Sequence, residues 1–128
     1  MNTEQLLTIV KDTLEDKKAE NIEILDVRNF SNITDFMVVA TGKSARQVMA
    51  LAQYVIEQAK SHDHRPLGDE GSNLGEWILV DLGDIIVHVM QPVTREFYQL
   101  EKLWSDLGEG VQFTQLTAQV AESAMPLN

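Results

Sequence analysis

Cysteine is absent from the 128-residue chain, which excludes disulfide scaffolds, thiolate zinc sites and cysteine nucleophiles and fits a reducing compartment. Basic residues are in short supply: 10 Lys and Arg stand against 20 Asp and Glu, a formal net charge of -10. Such a balance disfavours attraction to a phosphate backbone, so direct nucleic-acid binding is not expected, and a basic protein is the better-matched partner. An acidic surface kept for solubility explains the charge equally well. Long apolar runs are also missing. The N-terminal MNTEQLLTIVKDTLEDKK interleaves charges with its apolar positions, giving neither a signal peptide nor a membrane span. The expected location is the cytoplasm, with no membrane partner.

What is present suffices for one core, since 44% of residues are hydrophobic and the length suits one domain. Residues 1–108 read as that domain and 109–128 as a tail. Asn2 or Thr3 caps a first helix carrying Leu6, Leu7, Val10 and Leu14 at helical spacing. Ile22 to Val27 alternates like a strand, and Phe36 to Thr41 reads as a buried one. Ser44 and Gln47 form a capping-box pattern before a second amphipathic helix. A loop with Pro66, Gly68, Gly71 and Gly75 follows, with room for a short central strand. WILVD and IIVHVM form a hairpin around Gly83. Thr94 then caps a third helix with Phe97, Leu100, Leu103, Trp104 and Leu107 as its apolar stripe. The order predicts an α/β fold, a mixed sheet covered by helices.

Several motifs invite chemistry. TGKS after a strand suggests a phosphate loop, but the glycine that a Walker loop needs upstream is replaced by strand residues. A metal-dependent nucleotidyltransferase would want converging carboxylates, whereas Asp81 and Asp84 lie three apart across a turn, with no evident third acid. His62, Asp63 and His64 tempt a zinc assignment without a matching pair elsewhere. His88, between Ile and Val residues, has no nucleophile in a recognisable motif with it. No catalytic residue, metal or cofactor is expected, and the chain does not read as an enzyme.

The hairpin EWILVDLGDIIVHVM carries the most specific signal. Alternation places Trp77, Leu79 and Asp81 on one face and Ile78 and Val80 on the other. With Leu82 and Gly83 as turn residues, Trp77 falls opposite His88 and Asp81 opposite Asp84. The face bearing Trp, Leu, Ile, His and Met then resembles an interface more than a core, and the opposed acids call for a cationic partner. A three-residue loop instead sets Asp81 beside Ile85 and buries Trp77.

The blocks ITDFMVVATGKSARQVMALA, PLGDEG, WILVDLGDIIVHVM and REFYQLEKLW together resemble the ribosomal silencing factor family, also called Iojap-like proteins, over about Met1 to Trp104. The resemblance implies a nucleotidyltransferase-like shape without catalytic acids. It also implies a translational repressor that binds the large ribosomal subunit through ribosomal protein L14 and sterically blocks small-subunit joining when nutrients are scarce. Partner-binding residues carried onto this chain are Trp77, Asp81, Asp84, His88 and Met90 of the hairpin, Tyr98, Glu101 and Trp104 of the last helix, and Glu70 of the loop. A homodimer in the free state is a further expectation. A nucleotide-dependent transferase and a large-subunit assembly factor without a repressor role stand as alternatives.

Overall fold

Asn2 starts the first helix by a reciprocal cap: its side chain accepts from the Gln5 amide at 2.8 Å while the Gln5 side chain accepts from the Asn2 amide at 2.9 Å, which satisfies two otherwise orphaned donors. The structure, a computed structural model, describes residues 1–29, 31–71, 74–100 and 102. Helix α1 (Thr3–Asp16) buries Leu6, Val10 and Leu14. Strand β1 (Glu20–Asp26) begins two residues before the expected Ile22, through an irregularity between Glu20 and Glu23 in which Asn21 takes a φ of 50°.

Strand β2 (Phe36–Thr41) is buried along its whole length, as its unbroken apolar run predicts. Ser44 then caps α2 (Ala45–Ser61), accepting from the Gln47 amide. The second half of the box is displaced by one residue, because Gln47 Oε1 accepts from Lys43 N at 2.7 Å. The TGKS glycine has a packing reason. A Cβ on Gly42 would sit 2.8 Å from Val48 Cγ2 and 3.0 Å from the Val48 amide nitrogen, so the turn presses its backbone against the first turn of α2.

The short strand β3 (Gly68–Glu70) lies where the loop left room for it, followed by β4 (Trp77–Asp81) and β5 (Ile85–Met90). The five strands form one sheet in the order β1-β2-β5-β4-β3. Only β2 and β5 run parallel; the other neighbours are antiparallel. The fold is therefore the expected mixed α/β sheet. Apolar stripes of α1 and α2 cover one face, meeting Val38, Ile78, Val80, Ile85 and Val87. On the other face, Val27, Met37, Val39, Trp77 and Met90 gather with Leu100.

The hairpin register differs from both expectations. Asp81 pairs with Ile86, Leu79 with His88 and Trp77 with Met90, while Leu82 N donates to Ile85 O. The two turn residues are thus Gly83 and Asp84, with Gly83 at a φ of 88°. A positive φ at the first central position is the glycine-led geometry that matches strand twist. A shift by one residue on each strand preserves the partition of faces but removes the opposed pair Asp81 and Asp84.

Helix α3 (Pro92–Tyr98) also begins earlier than predicted. Gln91 occupies its N-cap and Pro92 its first turn, where proline's fixed φ is an advantage, so Thr94 lies inside the helix. Gln99 breaks it with a left-handed φ of 48°. That break changes the phase of the apolar stripe: Leu100 is buried, but Phe97 is 77% exposed. Leu103, Trp104 and Leu107 of the expected stripe and the tail 109–128 lie outside the described residues.

Candidate docking face

Strand alternation brings Trp77, His88 and Met90 together on the face away from α1 and α2, as expected, but it does not expose them. Trp77 is 1% exposed, and His88 and Met90 are fully buried. The expectation that these three side chains are offered to a partner is therefore corrected: they form the buried floor of this sheet face. Met37 and Val39 of the neighbouring β2 pack beside them, Leu79 pairs with His88 across β4 and β5, and Leu100 joins the cluster.

Inside that floor, the Trp77 indole N–H donates to His88 Nδ1 at 2.9 Å. A neutral imidazole that accepts at Nδ1 carries its proton on Nε2, and His88 Nε2 has no hydrogen-bond partner among the described residues. Burial pushes the histidine down from 6.5 to about 3, because desolvation disfavours the charged form. His88 is thus uncharged at neutral pH and sealed from solvent, which suits a packed structural group and not a proton-transfer base.

Tyr98 links floor to surface. Its half-buried ring lies 5.1 Å from that of Trp77 at an interplanar angle of 50°, and Phe97 meets it edge-on at 4.8 Å. Val93, one turn before Phe97, is 79% exposed. Val93 and Phe97 form an outward apolar pair at helical spacing. Sequence reasoning assigned Phe97 to the core by its helical spacing to Leu100; the left-handed break at Gln99 between them removes that phase relation.

The acids are distributed, not convergent. The Asp81 carboxylate accepts from the Gly83 amide at 2.9 Å, stabilising the turn locally. Asp84 is exposed and accepts from the Thr3 hydroxyl at 2.9 Å, while its backbone carbonyl accepts from the amides of Asp35 and Phe36. Glu70 is exposed on the same face as Leu79 and Asp81, beside a groove of about 270 Å³ that also touches Leu67 and Ile86. His62 Nδ1 lies 2.9 Å from the Gln58 carbonyl and His64 Nε2 lies 2.7 Å from the Leu82 carbonyl, so each imidazole is engaged with a separate backbone group. No group of three His, Asp or Glu is placed to hold a metal among the described residues, and no described helix is long and apolar enough to cross a membrane. Glu101 and Trp104, the remaining expected contacts, lie outside the described residues.

The family described as "Ribosomal silencing factor during starvation" matches residues 1–126. A ribosomal silencing factor of Haemophilus influenzae is 47% identical over 100 residues, 78% of this chain and 98% of that protein. A crystal structure of a Chromobacterium violaceum protein aligns with a TM-score of 0.80 at 41% identity, covering 82% of this chain and 88% of that one. A mouse protein named "Mitochondrial assembly of ribosomal large subunit protein 1" is 32% identical over 109 residues, 83% of this chain and 48% of its own length. With the family pattern matched along nearly the whole sequence and the same fold in a close relative, this chain belongs to the ribosomal silencing factor family of ribosome-associated regulators.

Proposed function

We propose that the protein is a cytoplasmic translational repressor that docks on the large ribosomal subunit through ribosomal protein L14 and sterically prevents the small subunit from joining under nutrient limitation. The observation that carries this reading is the match of residues 1–126 to a family named for ribosomal silencing during starvation. The charge of -10 supports it, because ribosomal proteins are basic and complementary charge speeds encounter and fixes register. The docking surface is the rim around the Trp77–His88 floor: exposed Phe97 and half-buried Tyr98 on α3, half-buried Asp81 with exposed Asp84 and Glu70 at the hairpin and β3, and Glu101 and Trp104 as further contacts. Trp77, His88 and Met90 act by holding that rim in place. Blocking a surface requires no catalysis, metal or cofactor.

The mouse relative's name favours a second reading, in which the protein helps large subunits mature. Both readings share one docking step. In the free protein, the apolar patch of Val93 and Phe97 serves a homodimer, and a monomer in light scattering at micromolar concentration overturns that pairing.

Co-sedimentation of the purified protein with large subunits, small subunits and joined ribosomes tests the docking step. Binding confined to free large subunits, lost in Asp81→Lys and weakened about tenfold in Phe97→Ser, is the expected result. A protein that remains at the top of the gradient in every case refutes it. A subunit-joining assay with mature large subunits then separates repression from assembly.

A further inference from the structure

The two edges of the sheet are built differently. On β1, each of three acids is neutralised within the chain: Glu20 by Lys43 at 3.4 Å, Glu23 by Arg95 at 3.7 Å and Asp26 by Arg28 at 2.6 Å. On β3, Asp69 and Glu70 are exposed and form no ion pair among the described residues, nor does the adjoining Asp81. No described strand pairs with the outer side of β3, so its outward backbone groups are open to another chain.

A groove flanks this open edge on each face of the sheet. Asp69 pairs with Val80 and so shares the face of α2; there, Met49, Ile56 and Ile78 floor a groove of about 320 Å³ with Asp69 at its rim. Glu70 pairs with Leu79 and shares the opposite face; there, Leu67, Leu79 and Ile86 line the groove of about 270 Å³ with Glu70 and Asp81 at its rim. Leu67, immediately before the strand, is 75% exposed. A short charged edge is a known device against unwanted pairing, but such a device does not call for an exposed leucine and an apolar floor on both sides.

We infer that the outer edge of β3 is a strand-addition site for an extended segment of a basic protein. Successive side chains of an added strand point to opposite faces, so two consecutive apolar residues would each enter one groove. Basic residues on either side of that pair would meet the unneutralised Asp69, Glu70 and Asp81. The segment chemistry is therefore basic–apolar–apolar–basic, with affinity from main-chain hydrogen bonds and specificity from the two grooves. A second copy of β3 would place acids against acids, and a nucleic acid would bring phosphates to them. The inference rests on the proposed function for the identity of the partner, a basic ribosomal protein, but not for the mode of binding.

The test uses the full chain, labelled with nitrogen-15, and the capped peptide Ser-Arg-Val-Leu-Arg-Ser, with Ser-Glu-Val-Leu-Glu-Ser and a backbone N-methylated version as controls. The basic peptide is expected to shift the amides of residues 67–71 and to bind at least about tenfold more tightly than either control. The exposed double change Asp69→Lys and Glu70→Lys is expected to weaken it by a similar factor. No shift at residues 67–71 with millimolar peptide, or equal binding by the acidic control, overturns the inference. Peptide binding at the edge without co-sedimentation on large subunits would keep the edge and sink the ribosomal reading. Co-sedimentation with no peptide response at β3 would do the reverse.

Discussion

The indole N–H of Trp77 and Nδ1 of His88, 2.9 Å apart, are hydrogen-bonded across adjacent strands at a diagonal: Trp77 is paired directly with Met90, and His88 with Leu79. This contact fixes the tautomer of a histidine that burial holds at about 3. It also gives the far face of the sheet a defined polar contact inside an otherwise apolar cluster.

The pH dependence of stability follows from that burial. An unfolded histidine titrates near 6.5, whereas folded His88 does so at about 3, so between these values the unfolded chain takes up a proton that the folded chain refuses. The His88 contribution is complete above about pH 6.5 and is lost as pH falls toward 3, with a slope approaching about 1.4 kcal/mol per pH unit. Urea unfolding between about pH 7 and 4.5 should show the midpoint falling with pH. His88→Asn, which retains an acceptor for the indole without titrating, should flatten that slope; an unchanged slope would assign it to other groups. Asp26, held low by its hydrogen bonds to Arg28, adds its loss only in the more acidic carboxylate range.

Trp77 is the floor of the cluster, so shortening it should register first in stability. Trp77→Ala should cost about 3–5 kcal/mol, as for other large buried aromatics. Trp77→Phe keeps most of the volume but leaves His88 Nδ1 without its donor, at a cost of about 1–3 kcal/mol. Chemical denaturation checks both values. Lost ribosome binding in Trp77→Ala then reports docking only if circular dichroism shows the variant folded at the assay temperature.

Two glycines with positive φ should respond differently to the same change. Gly83 at the hairpin turn would place a new Cβ no closer than 3.8 Å to Leu67 Cδ1, so Gly83→Ala meets the conformational penalty alone, about 1–2 kcal/mol. At Gly75, with a φ of 66°, the new Cβ would lie 2.7 Å from the Ala45 carbonyl oxygen and 2.8 Å from its Cβ. Gly75→Ala should therefore destabilise more than Gly83→Ala by at least about 1 kcal/mol. Equal denaturation midpoints would mean that α2 yields at its first turn.

Much of this architecture is legible from the sequence because local rules and burial agree. Phe36–Thr41 is a central strand that needs apolar residues on both faces; Asn2 and Ser44 are caps whose side chains do what their residue types predict. The mixed sheet and the partition of faces along β4 and β5 follow from period-two alternation. The register did not, because LGD offers two adjacent glycine-containing turns and only tertiary packing selects Gly83–Asp84. The burial of Trp77, His88 and Met90 was hidden for a related reason. An amphipathic side chain reads equally as interface or core until its neighbours are known, and the residues that cover this face, Leu100 and Tyr98, come from beyond a left-handed break or at its margin.

Arg95 and Phe97, two residues apart on α3, separate holding the helix from using it. The Arg95 guanidinium, with its side chain 14% exposed, donates to the Asn21 carbonyl at 2.5 Å and the Thr41 hydroxyl at 2.8 Å, beside Glu23. Those bonds tie α3 to β1 and the end of β2, so Arg95→Ala should cost about 2 kcal/mol and speed hydrogen exchange across residues 92–98. Phe97 faces outward, and Phe97→Ser should change folding stability by no more than about 0.5 kcal/mol. If α3 forms the rim that meets the large subunit, Phe97→Ser should instead lower affinity about tenfold, the signature of a contact at an interface centre. Sedimentation with large subunits, run beside denaturation of the same preparations, reads both effects. Undiminished affinity in Phe97→Ser would move the docking surface away from α3, and destabilisation by that variant would mean its ring packs against more than Tyr98.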